Sequence, residues 1–143
     1  MTPRSVLLDT VFLQARYNRL DPYHARAEAW APLLRVMTEV WITEAVLIEL
    51  ANAMSAANRA WAWQFIESAY KTANIRVVPV ETQLFHRGLD LYRRRADKQW
   101  GLTDCISFVV MSENGLSDAL TADRHFVQAG FNALLLQDPP PAP

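Results

Sequence analysis

The chain has 143 residues, 51% of them hydrophobic and 20% charged, a length and balance that suit one compact domain with a sizeable core and leave no comfortable room for two. Its single cysteine, Cys105, excludes an internal disulfide, and the opening residues MTPRSVLLDT lack the apolar length of a signal peptide or membrane span, so a cytoplasmic protein with no membrane partner is expected. The formal net charge of −1 gives no global pull toward a polyanion; a nucleic-acid substrate would have to be held by a local basic patch or by bound cations.

Apolar runs of strand length alternate with helical segments along the chain. Residues 5–8 read as a buried strand ending at Asp9. Asp21-Pro22 has the form of an N-cap followed by proline at the first helical position, opening a helix to about residue 35 that Pro32 should kink or end early. Val40-Trp41-Ile42 is a second strand, after which Thr43 caps a helix over 44–54, followed by another over 58–71. Residues 75–78 form the third strand, closed by Pro79. A helix is expected over 81–95, with Leu84, Phe85, Leu89 and Tyr92 on its apolar side. Thr103 opens the next helix, which turns Ile106, Val109 and Val110 inward and stops at Asn114-Gly115. Residues 119–121 and 133–136 are the last two strands, with a short helix over 124–129 between them. The domain is expected to span 1–137, and the Pro-rich tail 138–143, which has no pattern, to be disordered.

Strands that return through helices pair in parallel, and right-handed crossovers then give an open sheet with helices on both faces. In such α/β sheets ligands bind outside the carboxyl ends of the strands, where the strand order reverses. Asp9 and Asp123 directly follow the first and fourth strands, and Asp104 lies in the first turn of a helix. Each also has a plain structural role open to it. Asp9 suits a turn, Asp123 an N-cap, and Asp104 complements a helix dipole, as Glu44 does at the surface. Glu49 shares a helix face with Ala45, Val46, Asn52, Ala53 and Ala56, a mostly small face suited to close packing on the sheet, where an ionised carboxylate needs a partner or a metal.

Four stretches carry a resemblance. Leu7-Leu8-Asp9-Thr10, Val46-Leu47-Ile48-Glu49-Leu50, the run from Asp97-Lys98-Gln99-Trp100 through Thr103-Asp104-Cys105 to Phe108, and Leu120-Thr121-Ala122-Asp123-Arg124-His125-Phe126 resemble, in order and spacing, the PIN-domain proteins and in particular the VapC-like toxins of bacterial toxin–antitoxin modules. The resemblance covers nearly the whole chain. It implies a three-layer α/β/α domain around a mostly parallel five-stranded sheet, a Mg²⁺ or Mn²⁺ site and endoribonuclease activity. The family's acidic positions fall on Asp9, Glu49, Asp104 and Asp123, and Asp97 matches a further acidic position of one subgroup, in a supporting or structural role. It also implies a homodimer that holds an antitoxin segment in a groove between its early helices.

The chemistry agrees with those residue types. Hydrolysing a phosphodiester needs a nucleophilic water and relief of charge on the phosphate oxygens, and a divalent cation held by oxygen ligands provides both. Asp9, Asp104 and Asp123 are the expected ligands, direct or through water, while Glu49 either ligates or orients the attacking water. Repulsion among the four should make them take up protons as one coupled system when no metal is bound. Thr10 and Ser107 are candidate supporting groups, with helix capping and backbone bonding as their alternatives. His125 is expected to cap or pack, His24 and His86 have no assigned role, and Cys105 reads as a small core residue, not a zinc ligand.

The one dense basic cluster, Arg93-Arg94-Arg95 with Lys98, either grips the RNA backbone through Arg94, Arg95 and Lys98 or forms a solvated helix end. Arg16, Arg19 and Arg124 are further candidates. The helix carrying Trp61, Trp63, Phe65, Ile66 and Tyr70 is apolar over a wider arc than one core stripe needs, so it is either deeply buried or meets a second chain. A haloacid-dehalogenase-like phosphatase is disfavoured because Thr10-Val11-Phe12 replaces its second acid, and a phospho-acceptor domain because strand three ends without an acceptor. A non-catalytic RNA- or partner-binding PIN domain is the remaining rival.

Overall fold

Successive strand residues face opposite sides of the sheet, and each side carries its own apolar cluster. A computed structural model describes residues 5–143, so the expected start of the domain at residue 1 lies outside the described residues. In β1 (Ser5–Leu8) and β2 (Glu39–Thr43) the side chains of Val6, Leu8, Val40 and Ile42 enter one apolar cluster, while Leu7 and Trp41 enter another on the far side of the sheet. β3 (Ile75–Val78), β4 (Asp118–Leu120) and β5 (Asn132–Ala133) complete a five-stranded sheet of order β3-β2-β1-β4-β5. All four pairings are parallel, with register such as Val6 to Val40 and Leu8 to Leu120, so the sheet is parallel throughout and not merely mostly so.

Helices α1 (Thr10–Tyr17), α2 (His24–Leu34), α3 (Glu44–Met54) and α4 (Arg59–Lys71) cover one face, with Phe12, Leu13, Trp30, Leu33, Val46 and Leu50 buried. Helices α5 (Thr82–Arg94), α6 (Leu102–Glu113) and α7 (Arg124–Gln128) cover the other, where Phe108 sets its edge against Trp100 and Phe126 at 5.0 and 4.9 Å. This is the three-layer α/β/α arrangement. Cys105 is fully buried in the second cluster, the core role its residue type predicts. No helix among the described residues is long and apolar enough to cross a membrane.

Local chemistry explains where expected and observed elements differ. α1 is not singled out by the sequence pattern, because eight residues give too short a run for a helical period to stand out. Asp21-Pro22 does not open α2; Asp21 Oδ1 accepts the Tyr23 N–H at 2.8 Å and closes a turn instead, and the helix starts at His24. Pro32 lies inside α2, which stops two residues later. The apolar run 133–136 is a strand only at its first residue: Leu134–Leu136 form a 3-10 turn whose Leu134 and Leu135 are buried, an outcome that an unbroken apolar run does not distinguish from a strand.

The phase of α5 also differs from expectation. Leu84 and Gly88 face inward, and Phe85, Leu89 and Tyr92 form an exposed stripe. α4 buries only Ala62 and Ala69; Trp63 and Tyr70 are about half exposed at 50% and 55%, which rules out deep burial of that helix. Glu44 does more than complement a dipole, since its two oxygens accept the Val80 N–H at 2.9 Å and the Tyr70 hydroxyl at 2.6 Å.

The close pairing of α5 with α6 depends on Gly88, where an added Cβ would lie 2.6 Å from Ile106 Cγ1 and 3.3 Å from Ile106 Cα. Ile106 is itself buried and cannot swing away. Overpacking costs about 1–3 kcal/mol, against about 1 kcal/mol that alanine gains over glycine within a helix. Gly88→Ala is therefore expected to lower the urea midpoint of unfolding, and Ile106→Ala in the same chain to recover less than it would lose alone.

Candidate active site

The sheet order reverses between β1 and β4, and the two strands end side by side. Asp9 leaves β1 with extended backbone, and its N–H still donates to the Leu120 carbonyl at 3.3 Å. It occupies the N-cap position of α1 yet makes no capping bond. Its carboxylate is turned inward, almost fully buried, and Oδ2 accepts the Thr121 hydroxyl at 2.7 Å. Thr121 Oγ1 in turn accepts the Asp123 N–H at 3.0 Å, so one buried hydroxyl ties the ends of β1 and β4 together. Thr121 was not among the sequence candidates; its signal is the Thr-Ala-Asp spacing at a strand end, where a hydroxyl closes a turn onto the N–H two residues on.

Asp123 caps α7, Oδ1 accepting the His125 N–H at 2.9 Å. Asp104 accepts the Gly101 N–H at 3.3 Å from the third position of α6. The structural roles open to these two acids are thus real, and they hold the carboxylates in place without removing them from the site. One oxygen of Asp104, one of Asp123 and one ring nitrogen of His125 all lie within 4.8 Å of one another. His125 Nδ1 is 3.4 Å from Asp104 Oδ2 and 3.3 Å from Asp123 Oδ1, within charge contact of both. His125 thus joins the acids, a placement that its expected capping or packing role does not include.

Burial pushes the Asp9 carboxyl up to about 7, opposed by the Thr121 hydrogen bond and reinforced by the charges of Asp104, Glu49 and Asp123 in that order. Asp104 is raised as well, by burial and then by Asp123, with the Gly101 bond and His125 acting against it. The charges of the other three acids therefore converge on Asp9, and that of Asp123 acts on Asp104 as well. The residues fit a hard divalent cation: Asp9, although outside the close group of Asp104, Asp123 and His125, is a buried carboxylate under the charge of three other acids, which is costly without positive charge, and two buried hydroxyls, Thr10 Oγ1 next to Asp9 and Ser107 Oγ one turn after Asp104, have no hydrogen-bond partner.

Glu49 reaches this group from a different position than expected. The face of α3 that packs inward is Val46, Leu47, Leu50 and Met54, while Glu49, Asn52, Ala53 and Ala56 are exposed. Large side chains give more apolar contact than the small face, and they take the core. Glu49 therefore stands at the rim in solvent and needs no buried partner, although its charge still acts on Asp9.

Asp97 is not drawn into the acids. Both its oxygens bind Arg95, at 2.9 Å to Nε and 3.0 Å to Nη2, and the Arg95 guanidinium holds its carboxyl below the usual range. Arg93 and Arg94 both pair with Asp90, at 2.6 and 2.8 Å. The four cations of the cluster thus meet two acids, Asp90 and Asp97, and keep an excess of positive charge, with Lys98 outside these ion pairs.

A carboxyl whose folded value lies near 7 and whose ordinary value is 3.8 keeps its proton in the folded state over a range where the unfolded chain has lost it. Folding stability from Asp9 is then fully present below about pH 4 and falls as pH rises toward 7. Thermal melts in EDTA from pH 4 to 8 are expected to show this decline, and Asp9→Asn to flatten it and raise the melting temperature at pH 8 by roughly 5 °C. Adding Mn²⁺ at pH 8 should stabilise the unaltered chain and not the variant.

The comparisons with known proteins agree with this architecture. The chain is similar to the VapC20 toxin of Mycobacterium tuberculosis, described as a sarcin-ricin loop cleaving toxin, at 22% identity over 90% of this chain and 98% of that one, with a TM-score of 0.79. It is also similar to FitAcB from Neisseria gonorrhoeae at 16% identity over 89% of this chain and 96% of that one, with a TM-score of 0.58. At such identities these likenesses speak for the fold. No curated protein sequence matches. The family model for the PIN domain matches residues 6–132, from the first core residue of β1 to the start of β5, and the chain belongs to the PIN domain family.

Proposed function

We propose that this PIN domain is a metal-dependent endoribonuclease that hydrolyses RNA phosphodiesters, and that it acts as the toxin of a type II toxin–antitoxin pair. The observation that carries the nuclease reading is the buried carboxylate of Asp9, at the reversal point of a parallel sheet, raised to about 7 by burial and by the charges of three further acids. Burying an acid among acids is an arrangement that positive charge must balance, and a catalytic cation is the group of that kind that also cleaves phosphodiesters.

Asp9, Asp104 and Asp123 are the residues that would hold Mg²⁺ or Mn²⁺, which when bound supplies charge neutralisation at the phosphate and a more acidic water. Thr121 fixes the orientation of Asp9, and the Gly101 and His125 amides fix Asp104 and Asp123. Glu49, exposed at the solvent rim, would orient the attacking water or join the ligands. Thr10 and Ser107 offer their unpartnered hydroxyls to water within the site. Arg94, Arg95 and Lys98 hold the RNA.

Support for a homodimer comes from the exposed Phe85, Leu89 and Tyr92 stripe and the half-exposed Trp63 and Tyr70. Support for an antitoxin segment comes from a cavity of about 340 Å³ between α1, α2 and α4, lined by Phe12, Leu13, Leu34 and Phe65 with Arg16 and Arg35. The toxin VapC20, similar in fold, is described as cleaving the sarcin-ricin loop, which makes that loop the first structured substrate to try. The domain is taken to end near residue 137, with 138–143 as a tail and the protein in the cytoplasm.

With Mn²⁺ and a structured RNA the protein is expected to cleave, and EDTA to stop it. Asp104→Asn should cut the rate by a hundredfold or more, roughly the several kcal/mol a catalytic cation contributes; full activity in that variant would sink the reading. Glu49→Gln should lower kcat and leave metal-dependent stabilisation nearly intact, which separates water orientation from ligation. Lys98→Glu should weaken RNA binding and reduce the slope of log affinity against log salt by about one.

A further inference from the structure

On the face covered by α5, α6 and α7 lies a half-open cavity of about 320 Å³ that none of the four acids lines. Its apolar wall is Leu91, Val109, Phe131 and the Trp100–Phe108 pair, and its polar edge is Arg94, Arg95, Ser112, Gln128 and Glu113, the last neutralised by Arg87 at 2.8 Å. Its size is at the small end of ligand pockets, which run from about 300 to 1,000 Å³.

Arg95 is held there in an unusual way. Asp97 binds Nε and Nη2 together, so the guanidinium is fixed in its own plane, and Cζ lies 4.8 Å over the centre of the Trp100 ring. The indole beneath is fixed in turn: its Nε1–H donates to Gln128 Oε1 at 3.0 Å, and Phe108 meets it edge to face at 5.0 Å. One face of the guanidinium is covered by tryptophan, and the side chain keeps 38% of its surface exposed. With Nε and Nη2 on Asp97 only the Nη1 side keeps free donors, while the guanidinium plane is held rigid, which suits it to stacking.

We propose that the Asp97–Arg95–Trp100 stack is a platform on which one unpaired RNA base is bound, beside the cleavage site. The inference rests on the reading of RNA as the substrate and changes the role of Arg95 within it from backbone grip to base stacking. Bases of single-stranded RNA stack on aromatic rings and on arginine planes. The Gln128 amide keeps its N–H donors for a base edge, because only its oxygen is used by Trp100.

Position favours RNA over a protein side chain. The cavity is walled by the same two segments that carry the site: Trp100 leads through Gly101 into Asp104, and Gln128 ends the helix that Asp123 caps. Phe108 and Ser112 follow Asp104 by four and eight residues on α6, which puts the cavity about 6–12 Å along the helix axis from that acid. A nucleotide neighbouring the cut phosphate reaches that far.

The test uses fluorescence anisotropy in EDTA, so that nothing is cleaved, with two labelled probes of equal charge: a 12-mer of oligoadenylate and the same ribose-phosphate chain without bases. The unaltered protein is expected to bind the oligoadenylate about 10-fold more tightly. Arg95→Lys, which keeps the charge and loses the plane, should abolish that preference with the salt dependence unchanged, and Asp97→Asn should reduce it. Equal binding of both probes by the unaltered protein, no binding of either, or an undiminished preference in Arg95→Lys would overturn the platform and leave the cavity to a protein side chain. Cleavage of structured RNA with Mn²⁺, measured separately, reports on the nuclease reading: base preference without cleavage defeats only the latter, and cleavage without base preference defeats only the platform.

Discussion

The hydrogen bond from the Thr121 hydroxyl to Asp9 is the interaction on which the site depends. It joins the ends of β1 and β4, two strands separated by 112 positions at the bond itself, and it lies at the point where the sheet order reverses. Removing Asp9 from water is unfavourable for its charged form, and the bond returns only part of what burial costs. The rest of the site can be understood as consequences of that unfinished compensation. Asp104, Asp123 and Glu49 make it worse, and two neighbouring hydroxyls have no partner within the protein. A fold optimised only for stability would not collect these groups at one strand crossing.

The parallel sheet makes this collection possible. Each strand points its carboxyl end the same way, so acids placed just after strands or at the start of the following helix converge without any long loop. Helix termini then fix them. The backbone N–H groups of Gly101 and His125 hold Asp104 and Asp123, leaving orientation to the backbone and charge to the site. Capping and function are therefore not rival explanations of these two residues; the cap is how the carboxylate is aimed.

Much of this was legible in the sequence for identifiable reasons. The strands at 5–8 and 75–78, the Thr43 cap and the helix 44–54 were readable because alternation, capping residues and helix length agree there. The strand-end placement of Asp9 and Asp123 was readable from the order of strands and helices along the chain, whereas Asp104, in the first turn of a helix, was drawn into the set by the resemblance to PIN-domain proteins. Glu49 was misplaced because a small-residue face looks suited to close packing, whereas α3 buries its larger aliphatic side and turns the small one outward. The phase of α5 was misread for a related reason: Gly88, with no side chain to count in a hydrophobic period, marks its buried face. Thr121 and His125 were missed because their importance lies in what the fold sets opposite them.

The basic cluster shows the division most clearly. Sequence gives three arginines and a lysine in six positions, which reads as one cationic patch. In three dimensions Arg93 and Arg94 are tied to Asp90, while Arg95 is locked by Asp97 above Trp100 beside a cavity. By itself the sequence determined the alternation of strands and helices, the parallel pairing that follows from it and the strand-end acids, because these depend on local period and chain order. Which helix face is buried, which charges are already paired and which hydroxyl holds Asp9 were decided only by tertiary structure, because each depends on a partner far away in the chain, brought near by packing.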